Sequence, residues 1–228
     1  MSADNPDGAP ARGAYLHWDD EWRREAVIAD WSTPEPWVVS MLRTLRGPDT
    51  RRSLDLGCGM GRHALEFGKE GLESYALDRS ESAVAATRER AGQEGLKVDL
   101  RVADFTALPY EDGFFDYVLA WNVIYHGTQE EVATAIGEVA RVLRPGGVFQ
   151  STMLSKRNHE YGKGLETSRD SWVQPQGPED KAFPHLYSDE HDVLRLHPGF
   201  RLLTAFDEAH RDAGSYHWHL VFERTEWP

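Results

Sequence analysis

The stretch Leu54-Asp55-Leu56-Gly57-Cys58-Gly59-Met60-Gly61 carries the fold. Its first three residues read as the end of a buried strand holding a single acid, and a helical pattern over 62–69 follows at once. Glycines in G-x-G-x-G spacing between strand and helix let the backbone turn tightly and a ligand approach it closely. Strands are expected over 53–56, 74–77, 98–102, 115–120 and 148–154. Ser80 N-caps a helix whose inner face is Ala83, Val84, Thr87 and Ala91, and a helix over 130–143 is stopped by Pro145-Gly146-Gly147. Strand–helix alternation at this spacing predicts a doubly wound, mostly parallel α/β sheet covered on both faces. A short helix over 189–196 and strands over 201–206 and 217–222 complete the pattern, the two strands as an antiparallel hairpin at the sheet edge.

Upstream, Trp18, Trp22, Ala26 and Ala29 recur at helical intervals, and a second helix carries Trp37, Met41 and Leu45 until Gly47-Pro48. Residues 1–12 read as a disordered leader. The polar stretch 155–187 is too long for an ordinary connection and reads as a lid-like or disordered insertion. The expected organisation is one domain over 13–228: N-terminal helices 16–46, a core 52–154, the insertion 155–187, and a C-terminal helix and strands 188–224.

Composition narrows the functions. The 38 acids against 25 Lys and Arg give a net charge of −13, a field that repels phosphate backbones and anionic lipid. No apolar run approaches the ~18 residues of a membrane span, and no signal-peptide core opens the chain. A cytoplasmic protein with neither nucleic-acid nor membrane partner is therefore expected. Its single cysteine, Cys58, excludes an intrachain disulfide and a multi-cysteine zinc site, and reads as a packing residue beside the turn.

Chemistry gathers at the strand ends. Asp55 stands where a pyrophosphate would be repelled and suits a ligand bearing an ammonium group. Asp78 ends the next strand, roughly 20 residues past the first glycine, where an acid accepts from both ribose hydroxyls. Asp104 follows the third strand, placed for an adenine amino group, with Phe105 beside it for stacking. S-Adenosylmethionine, with an amino group, a sulfonium and no phosphate, satisfies all three acids.

Gly57-Cys58-Gly59-Met60-Gly61-Arg62-His63, Asp78, Phe115-Asp116-Tyr117-Val118, Asn122-Val123-Ile124-Tyr125-His126 and Leu143-Arg144-Pro145-Gly146-Gly147 together resemble the ordered motifs of class I S-adenosylmethionine-dependent methyltransferases, in the branch of the tellurite-resistance enzymes. The resemblance covers 54–154 and implies a seven-stranded sheet with an antiparallel last strand. It also implies a cofactor set of Asp55, Gly57, Cys58, Gly59, Gly61, Asp78, Arg79, Asp104, Phe105, Trp121 and Asn122.

Methyl transfer from a sulfonium is an in-line displacement that mainly needs the acceptor held in place and water excluded. Tyr125 and His126, just beyond the fourth strand, are the candidate catalytic residues, His126 as a base. Asn158, Tyr161, Lys181 and His185 in the insertion are candidate contacts to a small-molecule acceptor. Trp18, Trp22 and Trp31 read as core first and pocket wall second. His217 and His219 share one face of a strand and with His185 make a conceivable three-histidine site, but no metal is assigned. Three other activities remain open: non-methyl transfer from a modified sulfonium cofactor, silent cofactor binding, and nucleic-acid methylation. The last is disfavoured because Trp121-Asn122-Val123-Ile124 lacks an Asn-Pro-Pro-Tyr-like tetrad.

Overall fold

The computed structural model describes residues 14–23, 31–45, 50–177, 179–210 and 212–225. The expected leader 1–12, the helical positions Ala26 and Ala29, and the Gly47-Pro48 stop lie outside these residues. Two helices lead the chain, α1 (Ala14–Glu21) and α2 (Pro36–Leu45). The alternating core then runs β1 (Arg52–Leu56), α3 (Arg62–Lys69), β2 (Glu73–Asp78), α4 (Glu81–Gln93), β3 (Val98–Val102), β4 (Phe115–Ala120), α5 (Gln129–Val142) and β5 (Leu143–Ser155). Strands β6 (Leu165–Ser168) and β7 (Ser171–Val173), a 3-10 turn at Glu179–Ala182 and β8 (His185–Ser188) follow. Helix α6 (Glu190–Leu196), β9 (Phe200–Ala209) and β10 (Tyr216–Arg224) close the chain.

The main sheet has the order β3-β2-β1-β4-β5-β10-β9. The first five strands are mutually parallel, and β10 pairs antiparallel with both β5 and β9. The seven-stranded reading with an antiparallel last strand therefore holds, with one change: β10 is inserted inside the sheet, and β9 forms the edge. Its sequence explains the inner place, since Leu220, Val221 and Phe222 are all buried, a run apolar on both faces.

The insertion is a built element. β4 is paired to β5 as far as Ser151, and β8 takes up the vacated edge at Leu154 and Ser155, with β7 and β6 extending it antiparallel. Lys156 bonds Asp170, Asp189 and Asp192 and so ties this extension to the start of α6. Tyr161 donates its hydroxyl to Asp170 Oδ1 at 2.8 Å.

Side-chain alternation along β1 splits the core. Leu54 and Leu56 join the cluster under α5 and α6, with Val132, Ile136, Val139, Val193 and Leu196. Across the sheet, Val38 and Leu42 of α2 pack with Phe67 of α3, Tyr117 and Leu119. Asp55, out of phase with the two leucines, points to the α3 side.

Candidate active site

The glycine turn is defined by what fills the space around it. Gly57, Gly59 and Gly61 all have left-handed backbone, with φ of 69°, 51° and 74°. A Cβ on Gly57 would come within 2.3 Å of Val123, and one on Gly61 within 2.4 Å of Thr87. No side chain fits at either position. Gly57 and Cys58 both donate their N–H to Leu77 O (2.7 and 3.0 Å), Gly59 donates to Asp78 Oδ2 (2.9 Å) and Gly61 to Cys58 O (2.8 Å). Four amides of the turn are thus satisfied within the protein. A phosphate-cradling loop needs such amides pointed at the ligand, so this turn is built for close approach and not for phosphate.

A cavity of about 1650 Å³ opens above the turn, at the C-terminal ends of β1–β4. Gly57, Cys58, Gly59, Asp78, Arg79, Asp104, Phe105, Trp121 and Asn122 all line it, as do Tyr125, His126, Asn158 and Lys181. Asp78 bridges Gly59 N and Ser80 N, one carboxylate oxygen to each, at 2.9 Å. Burial pushes its carboxyl upward against these backbone bonds. Asp104 Oδ1 accepts from Thr106 N and Oγ1, and its Oδ2 lies 3.0 Å from Arg79. Arg79 is therefore occupied in fixing Asp104. Asn122 has φ of 58° and is locked to the buried Thr152, whose Oγ1 accepts from Asn122 N and donates to Asn122 Oδ1. Beside it, buried Trp121 Nε1 has no hydrogen-bond partner among the described residues.

Four sequence candidates lie off the cavity wall. Asp55 lies beneath the turn, where its Oδ2 accepts from Ala64 N at 3.0 Å. Strand alternation turns it under α3, so it anchors the helix and does not line the cavity. Burial raises its carboxyl to about 7, opposed by the Ala64 bond and by Arg62. Gly61 is the N-cap of α3, packed against Thr87. Tyr161 is spent on Asp170, and the fully buried His185 stands behind the wall. The three-histidine set is not brought together: His217 bonds Ser215 O, whereas His185 meets Asp180 and His126.

The roof comes from the N-terminus. Asp19 of α1 accepts from Ser80 Oγ, Ser82 N and Ser82 Oγ, so α1 is latched to the start of α4. Burial pushes the Asp19 carboxyl up, but these bonds outweigh it and hold it low. Trp18, Trp22 and Trp31 consequently face the cavity, with Trp18 and Trp22 stacked at 5.3 Å and Trp18 edge-on to His126 at 6.4 Å. Their helical spacing looks the same for core and for roof, which is why sequence reads them as core. Arg62 and His63 brace this roof: Arg62 bonds Glu35 Oε1 at 2.9 Å, and His63 Nε2 accepts from Glu35 N at 3.2 Å.

Asp180 is the residue that sequence reading misses. Its Oδ2 lies 3.3 Å from His126 Nε2 and 3.2 Å from His185 Nε2. Burial pushes its carboxyl up, against the pull that the two imidazoles exert when protonated and that Lys181 adds, and the net direction is downward. Burial pulls His185 down to about 4 despite that carboxylate. No spacing rule links position 180 to 126, so only folding brings them together.

Residues 54–147 match the family described as "Methyltransferase domain". A tRNA (carboxymethyluridine(34)-5-O)-methyltransferase of Macaca fascicularis is 34% identical over 143 residues, 61% of this chain and 20% of that protein. A ubiquinone biosynthesis O-methyltransferase of Methylocella silvestris is 32% identical over 162 residues, 68% of this chain and 58% of that one. The chain thus spans a fifth to somewhat over half the length of these curated relatives. In structure it is similar to the 1,6-didemethyltoxoflavin-N1-methyltransferase of Burkholderia thailandensis, solved with its substrate and S-adenosylhomocysteine. The TM-score is 0.73 at 18% identity, over 98% of this chain and 94% of that one. Over residues 54–147 the chain is thus similar in sequence to methyltransferase domains, and its fold is that of a solved methyltransferase.

Proposed function

We propose that the protein transfers a methyl group from S-adenosylmethionine to a small-molecule acceptor held at the end of the cavity bounded by Asn122, Tyr125 and His126. One observation carries the reading. The glycine turn spends its amides internally, while Asp78, Asp104 and four tryptophans (Trp18, Trp22, Trp31 and Trp121) face the same cavity. Acids and aromatic faces suit a cationic, phosphate-free nucleoside. When bound, S-adenosylmethionine supplies a methyl carbon on a positively charged sulfur leaving group.

The chain's own residues do the rest. Each Asp78 oxygen holds one backbone N–H and keeps a lone pair for a ribose hydroxyl. Asp104, steadied by Arg79 and Thr106, takes the adenine amino group, and Phe105 stacks on the ring. Asn122, fixed by Thr152, and the unpartnered Trp121 N–H border the methionine end. The tryptophan roof excludes water, which favours an in-line displacement. His126 donates Nδ1–H to Val123 O at 2.8 Å, which leaves a lone pair on Nε2, 3.3 Å from Asp180 Oδ2. Asn158 and Lys181 of the insertion line the acceptor end, giving the extension its lid-like role.

The net charge of −13 supports a small acceptor over a nucleic acid, as do the names of the ubiquinone and toxoflavin enzymes. The tRNA-modifying relative is the counter-example to test. Placement beside the tellurite-resistance enzymes rests on the motif set between Gly57 and Gly147. Calorimetric titration with S-adenosylmethionine and S-adenosylhomocysteine, followed by mass spectrometry over thiol, amine, phenol, carboxylate, chalcogen-oxyanion and tRNA acceptors, tests the reading. A gain of one methyl mass on a small acceptor is expected. Absence of cofactor binding by folded protein removes the reading, and methylation of tRNA alone removes the small-molecule part. Cofactor binding with no methylated product favours silent binding, and a modified sulfonium nucleoside carried through purification favours non-methyl transfer.

A further inference from the structure

His126, Asp180 and His185 converge from three segments that nothing else brings together. His126 follows β4, Asp180 sits in the 3-10 turn, and His185 opens β8. The ring nitrogens facing away from the convergence are both committed: His126 Nδ1 lies 2.8 Å from Val123 O, and His185 Nδ1 2.8 Å from Phe183 O. A carbonyl only accepts, so both Nδ1 atoms carry hydrogen. In the neutral rings Nε2 is then a bare lone pair on each, and both aim at Asp180 Oδ2, 3.3 and 3.2 Å away. Three electron-rich atoms therefore meet. Protonating both rings would set two imidazoliums 4.7 Å apart, centre to centre, one of them fully buried. Protonating one leaves the other facing the carboxylate unsatisfied. A divalent cation satisfies all three donors at once.

The spacing fits. Ligand bonds of roughly 2.0–2.2 Å at tetrahedral angles put neighbouring donor atoms about 3.3 Å apart, the separation of Asp180 from either histidine. All three donor atoms lie within 4.8 Å of one another. Two imidazoles and one carboxylate are a donor set for zinc, or for iron, cobalt or nickel in the divalent state. Backbone carbonyls accepting from both Nδ1–H groups supply the outer contacts that orient metal-binding histidines.

We propose that His126, Asp180 and His185 form a divalent transition-metal site whose remaining coordination position opens onto the cavity. Asp180 and His126 line that cavity, whereas His185 closes the site from behind. Water, or an oxygen or nitrogen of the acceptor, takes the open position; for the acceptor this rests on the function proposed above. This site departs from the sequence reading, which assigns no metal, and uses a different histidine set from the one the sequence brings to mind.

The test uses untagged, full-length protein, stripped with chelator and titrated with Co²⁺ and then Zn²⁺ in the absence of S-adenosylmethionine, so that failure of the methyltransferase reading leaves it intact. One equivalent of Co²⁺ with visible ligand-field bands, displaced by Zn²⁺, is expected. Asp180→Asn and His185→Gln should each weaken uptake at least tenfold. Circular dichroism checks their folding, and Asp180→Asn, at a partly exposed position, serves if His185→Gln fails to fold. Nitrogen-15 correlation spectra of the chelator-treated protein should show both Nε2 atoms without hydrogen. Absence of one-equivalent uptake, uptake indifferent to the variants, or an Nε2 proton that Zn²⁺ does not displace would each overturn the proposal.

Discussion

The floor of the cavity and its far wall are made in opposite ways. The floor, from Asp55 to Ser80, is a continuous piece of chain whose constraints are local: glycines with left-handed backbone, an acid at a strand end, a serine cap. The far wall gathers Asn122, His126, Asn158 and Asp180 from separate segments, and the His126–Asp180 contact spans 54 positions. In the function proposed above, nucleoside recognition is held by backbone geometry that tolerates little change. In the same proposal, acceptor recognition is held by side chains that the β8-β7-β6 extension helps to place, and such walls change without disturbing the floor.

Substitution at the floor should cost most. Gly57→Ala forces a left-handed alanine against Val123, and strain plus overpacking should remove roughly 2–5 kcal/mol from urea-measured stability. Gly162→Ala, in the extension at φ 79° with no atom within 4 Å of the new Cβ, should cost only about 1–2 kcal/mol. Equal losses would break the contrast between a packed floor and a tolerant extension.

The pH dependence of the floor sharpens it next. Asp55 has its carboxyl raised to about 7 by burial, so its folded form holds a proton more tightly than the unfolded chain. Stability from this group is full below about pH 4 and is lost as pH rises toward 7. Asp55→Asn keeps an acceptor for Ala64 N and removes the charge. Its melting temperature relative to wild type should therefore rise between pH 5 and pH 8. Outside the site, His197 is pulled to about 4 by burial despite its bond to Val193 O. It carries the reverse sign: its contribution is full above about pH 6.5 and lost as pH falls toward 4. A difference between wild type and Asp55→Asn that stays flat with pH would contradict the buried-anchor role.

Asp78→Ala should weaken S-adenosylmethionine binding by roughly 1.5–3 kcal/mol, the range for hydrogen bonds to a charged group, read by calorimetry. On the side of the extension, Tyr161→Phe should cost about 1 kcal/mol of stability through the lost Asp170 bond and leave kcat/KM unchanged. A fall in kcat/KM with stability intact would return Tyr161 to the acceptor site.

Legibility in the sequence follows the same division. The β1–α3–β2 unit, the Ser80 cap, the acid ending β2 and the acid just past β3 are visible because each depends on residues within a turn or a strand of one another. Asp55 is visible as an acid but not in its orientation, since the alternation that turns it under α3 is settled by which face Leu54 and Leu56 bury. The place of β10 depends on pairing across the sheet, and the extension on β5 outlasting β4, neither of which is a local property. Trp18 and Trp22 are visible as an apolar stripe, while their role as roof depends on Asp19 reaching Ser80, 61 positions away. Asp180 leaves no periodic trace at all.

A crystal structure with S-adenosylhomocysteine bound tests the central claim most directly. The account predicts ribose hydroxyls on Asp78, the adenine between Asp104 and Phe105, and the sulfur directed toward Asn122 and Tyr125. A nucleoside seated elsewhere, or Asp78 left turned wholly to Gly59 and Ser80 with no ligand contact, would contradict it.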